Sequence, residues 1–132
     1  MKYEIFEHND LGYQTLMYYG NWRVAMLNYI DDCSIDNLVY FEAHHNTDEV
    51  FILLEGEAKL IFADIKENKI VGISSINLEK NKVYNVKKDV YHTQVLSKDA
   101  KIILVEEKDT GDATSSKFYL NKVDIEKIKE FI

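Results

Sequence analysis

The 132-residue sequence contains no proline, five glycines and one cysteine. Average usage would supply roughly seven prolines and nine glycines. Collagen-like, proline-rich linker and Gly/Ser low-complexity readings are therefore excluded. The lone Cys33 cannot form an internal disulfide, which fits a reducing compartment. Long hydrophobic runs are also missing. The longest, such as Ile102-Ile103-Leu104-Val105, fall far short of the roughly 18 residues of a membrane helix. The opening Met1-Lys2-Tyr3-Glu4-Ile5 lacks the apolar region of a signal peptide. A cytoplasmic protein with no membrane partner is expected. Basic residues are in deficit, with 16 Lys+Arg against 23 Asp+Glu and a net charge of −7. That balance argues against nucleic acid as a partner, which needs a basic footprint. The one basic cluster, Lys80-Asn81-Lys82 with Lys87-Lys88, reads as a solvated edge. No G-x-x-x-x-G-K phosphate cradle exists. Ser74-Ser75 and Ser115-Ser116 have no elbow glycines, and no nearby histidine activates Cys33.

What the chain does have is a supply of turn formers of another kind, ten Asn and eleven Asp. Both tolerate left-handed backbone and hydrogen-bond their own main chain in turns. Between them lie short β-type runs: 3–6, 22–29, 38–44, 50–54, 58–62, 70–78, 83–86, 92–96 and 101–106, with 118–120 as another candidate. Glu55-Gly56-Glu57 reads as a tight hairpin. Nine or ten short strands at close spacing imply an all-β antiparallel sandwich or barrel in one domain spanning 1–132. A short C-terminal α-helix over about 122–132 is expected from the Asn121 cap, Asp124 three residues on, and the apolar side of Val123, Ile125, Ile128 and Ile132.

Possible metal ligands concentrate at Glu42-Ala43-His44-His45, at Asp48-Glu49 and at His92. Strand alternation sends Glu42 and His44 to one face and His45 to the other. Glu49 shares a face with Phe51 and Leu53, and His92 shares one with Gln94 and Leu96. Imidazoles with carboxylates suit Fe, Mn, Ni, Co, Cu or Zn, and two His with one carboxylate is the open set of non-haem Fe(II) enzymes. Surface or merely hydrogen-bonded histidines are the plain alternative.

The run His44-His45-Asn46-Thr47-Asp48-Glu49 through Gly56 resembles the first cupin motif, G-x5-H-x-H-x(3,4)-E-x6-G, over about 36–57. Residues 81–96 resemble the second, G-x5-P-x-G-x2-H-x3-N, with His92 at its histidine. The chain resembles small single-domain bacterial cupins, an uncharacterised group. The resemblance implies an antiparallel β-barrel or jelly roll with a divalent transition metal on His44, Glu49 and His92, and a homodimer. One histidine of the first pair is missing in either register. A four-residue spacer puts Glu42 in its place, whereas a three-residue spacer makes His45 the ligand and leaves Ala43 opposite. The motif glycines fall on Asp36, Asn81 and Asp89, and the proline on Lys87. Exposed edge strands give an acidic all-β chain a further reason to pair.

Inward faces would form a mainly apolar pocket of Tyr40, Phe51, Gln94, Trp22 and Met26 around the metal, suited to a small-molecule ligand. Three functions remain open: a metal-dependent enzyme, a metal-free cupin that binds a small metabolite, or a protein whose pocket is only core.

Overall fold

Ten strands form: β1 (Tyr13–Tyr19), β2 (Trp22–Asn28), β3 (Tyr40–His44), β4 (Glu49–Glu55), β5 (Ala58–Lys66), β6 (Lys69–Asn77), β7 (Tyr84–Val86), β8 (Tyr91–Leu96), β9 (Lys101–Glu107) and β10 (Ser115–Tyr119). The structure, a computed structural model, describes residues 1–132. The strands make two antiparallel sheets that do not close into one barrel, in the orders β1-β2-β9-β4-β7 and β10-β3-β8-β5-β6. No helix is long and apolar enough to cross a membrane. The one α-helix, α1 (Lys122–Phe131), starts where the sequence places it. The Asn121 side chain accepts from the Asp124 amide at 2.9 Å, and Asp124 accepts back from the Asn121 amide at 3.0 Å. Such reciprocal capping satisfies two amides that a helix start leaves orphaned.

The core fills the space between the sheets, with Phe51, Leu60 and Ile102 almost wholly buried. A second cluster, Leu38, Phe41, Ile61, Ala63 and Ile128, lies between the outer face of the second sheet and α1. Two of the three glycine substitutes do what a glycine would, since Asn81 and Asp89 both adopt φ +69. Asn and Asp are the non-glycine residues most at ease there. Asp36 instead sits in a short 3-10 turn, Ile35–Asn37.

Three sequence expectations change. Residues 3–6 form no strand and lie exposed, because nothing in the chain pairs with them. A strand not among the expected runs, β1, lies alongside β2. Trp22 and Met26 face outward. The inward residues of β2 are Arg23, Ala25 and Leu27. Both faces of β2 are largely apolar, so hydrophobicity alone favoured the one without Arg23. A buried ion pair reverses that choice, and a one-residue change of phase exchanges every side chain.

Candidate metal centre

Strand alternation stacks the interior of the first sheet in rows. Arg23 stands opposite Glu106 on β9, and the pairing of Val105 with Val50 sets Glu106 beside Glu49 on β4. Arg23, Glu106 and Glu49 thus form a charged row at one end of the sandwich. Beneath it lie Ala25, Leu104 and Phe51, then Leu27, Ile102 and Leu53. From the second sheet, His44 and Glu42 on β3 face this row together with His92 on β8, the register partner of Glu42.

The side chains converge on one oxygen. His44 Nε2 is 3.2 Å and His92 Nε2 2.9 Å from Glu49 Oε1. Glu42 Oε1 and Glu106 Oε2 lie 3.6 Å and 3.9 Å from His44 Nε2. Both rings are fixed from behind. His92 Nδ1 donates to the Val90 carbonyl at 2.9 Å, and His44 Nδ1 is 2.8 Å from the Ser115 hydroxyl. With Nδ1–H committed, a neutral His92 presents its Nε2 lone pair to the cavity, as a metal ligand must. Phe51 packs edge-on against the His92 ring, with centroids 5.9 Å apart.

Charge decides what this cluster asks for. Three carboxyls, Glu42, Glu49 and Glu106, face one guanidinium, Arg23, and two imidazoles. Glu49 and Glu106, each 6% exposed, stand directly opposite each other on neighbouring strands. Like charges so placed destabilise a sheet, and burial makes them costlier. Burial pushes the Glu49 carboxyl up, but hydrogen bonds and charge from His44 and His92 outweigh it and bring the pKa to about 2. For Glu106, burial and the neighbouring Glu49 charge overcome the Arg23 pair and raise it to about 7. Burial disfavours a charged His44, yet the Glu49 hydrogen bond and the surrounding carboxylates raise its pKa overall.

The residues fit a divalent transition metal. Donor atoms bound side by side to one such ion, at about 2.1 Å each, stand roughly 3 Å apart. The ligating atoms of His44, Glu49 and His92 all lie within 4.8 Å of one another. Two imidazoles and a carboxylate are a borderline donor set that Fe, Mn, Co, Ni, Cu and Zn all accept. Glu106 Oε2 is buried without a hydrogen-bond partner, the kind of atom an ion or a bound water satisfies.

A cavity of about 310 Å³ opens beside the cluster. Tyr40, Phe51 and Gln94 line it, while Trp22 and Met26 do not, being on the opposite face of β2. Strand alternation also separates the two adjacent histidines. His45 turns to the outer side, where Nδ1 is 2.7 Å from Asp89 Oδ1 and Nε2 is 2.6 Å from Ser116 Oγ. There it ties the β7–β8 turn to the edge strand β10. Arg23, Glu106, Tyr13 and Thr110 also line the cavity and were not anticipated. The signal for the first two is a complementary pair, Arg23 Nη2 to Glu106 Oε1 at 2.7 Å. Only the β2–β9 register reveals it.

The raised Glu106 pKa has a pH consequence. A carboxyl neutral in the fold and ionised in the unfolded chain stabilises below its unfolded value near 4.5, and that stability is lost as pH rises through about 7. Urea midpoints in chelator are expected to fall between these values, and Glu106→Gln is expected to flatten the decline. A bound cation favours the ionised carboxyl and should oppose the trend.

Two antiparallel sheets wound into a double-stranded β-helix, with the polar cluster at one end of the space between them, constitute the cupin fold. No protein-family model matches the sequence, and no curated protein is similar to it in sequence. Solved structures are similar. A cupin-2 domain protein of Shewanella frigidimarina superposes with a TM-score of 0.56 at 20% identity, over 76% of this chain and 85% of that one. Iron(II) HppE gives 0.53 at 21%, over 72% of this chain and 50% of that one. A variant of Streptomyces Pac13 with uridine gives 0.60 at 6%, over 93% of this chain and 97% of that one. Pac13 is described as a nucleoside dehydratase. At such identities the likeness is one of fold.

Proposed function

We propose that the protein holds one divalent transition metal on His44, Glu49 and His92, with Glu42 as an adjoining carboxylate, and acts on or binds a small molecule in the cavity. The convergence of two imidazole Nε2 atoms on one oxygen of Glu49 carries this reading. When bound, the metal would supply a Lewis acid or an oxygen-activating centre. The chain's own residues do the remainder. Val90 and Ser115 orient the two rings, and Arg23 holds Glu106 beside Glu49. Tyr40, Phe51 and Leu104 surround a ligand's apolar body, and Gln94 offers an amide for its polar groups. HppE in its iron(II) form lends analogy for a metal on this fold.

The second reading is a metal-free cupin that binds a metabolite without catalysis. What favours it is that Glu49, His44 and His92 can satisfy one another by hydrogen bonds once a ring is protonated. Pac13 with uridine, a protein of this fold beside a small organic ligand, supports ligand binding under both readings and favours neither. Under either reading the protein is taken as a cytoplasmic homodimer that works on a small molecule and engages neither nucleic acid nor membrane. The buried free thiol of Cys33 suits a reducing compartment.

Elemental analysis of protein purified without chelator separates the two. About one transition-metal ion per chain is expected, lost in His44→Ala and in His92→Ala. Glu42→Ala should weaken retention more than His45→Ala, since His45 lies outside the cavity. A metal-free wild type that takes up no added metal favours the second reading.

A further inference from the structure

Strand alternation turns His45 away from the metal centre, and a second set of reactive groups meets it on the outer side. His45 Nε2 lies 2.6 Å from Ser116 Oγ, and His45 Nδ1 lies 2.7 Å from Asp89 Oδ1. The two partners fix the tautomer of the ring. A carboxylate accepts and cannot donate, so the proton sits on Nδ1 and is donated to Asp89. Nε2 then presents a lone pair, to which the Ser116 hydroxyl donates. The backbone holds all three in place. Ser116 lies on β10, directly across from Ala43 on β3. Asp89 stands in a left-handed turn at φ +69, and its amide donates to the His44 carbonyl at 2.7 Å. Serine, histidine and carboxylate joined by both hydrogen bonds are the working parts of acyl-serine hydrolases, whatever their order along the chain.

We infer that Ser116, His45 and Asp89 form a second catalytic site, which hydrolyses small esters with short apolar acyl groups. Ser116 Oγ attacks the ester carbonyl carbon as its proton passes to His45 Nε2. The bond from that carbon to the leaving oxygen then breaks, and the departing alcohol takes the proton from Nε2. A solvent water attacks the acyl-serine and gives its proton to Nε2. The carboxylic acid leaves as Ser116 Oγ recovers that proton. The sum is ester plus water to acid plus alcohol, with no change of oxidation state. Asp89 is the positioning residue, which holds the ring and stabilises the imidazolium formed in each half.

The surroundings supply the other two parts. β10 is an edge strand. The His45 amide donates to the Thr114 carbonyl at 3.0 Å, so Ser116 and Ala43, two residues on, are again a hydrogen-bonded pair. Lys117, paired with Glu42, falls between such pairs, and its amide points to the open edge. The residue after the nucleophile supplies an oxyanion donor in the same way in α/β-hydrolases. For the acyl group there is a groove of about 680 Å³ that starts at Asp89 and is lined mainly by Ala63, Ile65, Val71, Val90 and Tyr91. It lies in register with the nucleophile. Ser116 pairs with Ala43, which one step from the Glu42–His92 pair stands beside Tyr91, and Tyr91 pairs with Ala63.

Hydrolysis of p-nitrophenyl butyrate by the full chain, with and without chelator, tests this. Turnover should be the same in both and fall by about 100-fold or more in Ser116→Ala and in His45→Ala, with folding checked by circular dichroism. An alkyl fluorophosphonate should lose fluoride and attach to one serine, identified as Ser116 by peptide mass spectrometry. Asp89→Asn keeps a residue suited to the left-handed turn. It should slow labelling by about 100-fold or more at little change in melting temperature. Nitrogen-15 NMR of the His45 ring should show the proton on Nδ1 in the wild type and moved toward Nε2 in Asp89→Asn. A wild type that takes no label at Ser116, turnover that chelator abolishes, or turnover that Ser116→Ala retains overturns the inference.

Discussion

Replacing Glu49 by Gln is expected to abolish metal retention while leaving the fold in place. The carboxylate is the one group that both imidazoles address, at 3.2 Å and 2.9 Å, and it is 6% exposed. Gln keeps the shape and the carbonyl oxygen but removes the charge that a divalent ion requires in an interior of low dielectric. Substitutions one shell further out typically cost 10–100-fold in affinity. Loss of this ligand should exceed about 100-fold in a competition titration with a chromogenic chelator. Ser115→Ala, which removes only the hydroxyl behind His44, should fall within the smaller range. Similar affinities for the two variants would place the ion elsewhere.

The second large effect is structural. Gly56 turns the hairpin between β4 and β5 at φ +73, and a Cβ there would sit 2.7 Å from the backbone of Ala100 and from Ser97 Oγ. The hairpin is pressed onto that turn, with the Glu57 amide donating to Ser97 Oγ at 2.8 Å and the Ser97 amide to the Glu57 carbonyl at 2.9 Å. Gly56→Ala therefore combines left-handed strain of about 1–2 kcal/mol with a backbone clash of about 1–3 kcal/mol. A fall in melting temperature of roughly 10 °C or more is expected. Gly20 gives the control. Its φ is +57 with nothing within 4 Å, so Gly20→Ala should cost only the strain. Equal costs for the two would mean that the contact with Ala100 contributes nothing.

How far the sequence reached depends on which physical signal each residue carried. Alternation along β3 separates His44 from His45 from the sequence alone, because that period is a property of the backbone. The spacing from Glu49 to Gly56 carried the strand and hairpin between them, and Asn81 and Asp89 did take the left-handed conformations expected of glycine substitutes. Residues 3–6 show the limit of local propensity. A strand forms only against a partner, and nothing in the chain pairs with these residues, whereas Tyr13–Tyr19 has β2 beside it. Glu106 shows the limit of pattern. At the end of an apolar run it resembles any solvent-facing acid, and only pairing across β2, β9 and β4 sets it between Arg23 and Glu49. The motif positions where glycine, proline and one histidine are expected carry Asp36, Asn81, Asp89, Lys87 and either Glu42 or Ala43. The backbone tolerates these replacements, and a sequence pattern does not.

A metal held on His44, Glu49 and His92 would sit between the two sheets. Anomalous diffraction from crystals grown with a single added transition metal, collected at its absorption edge, addresses this directly. One peak per chain is expected, bounded by the Nε2 atoms of His44 and His92 and a carboxylate oxygen of Glu49. A peak on the outer side between His45 and Asp89, or no peak from protein saturated with the metal, would contradict it.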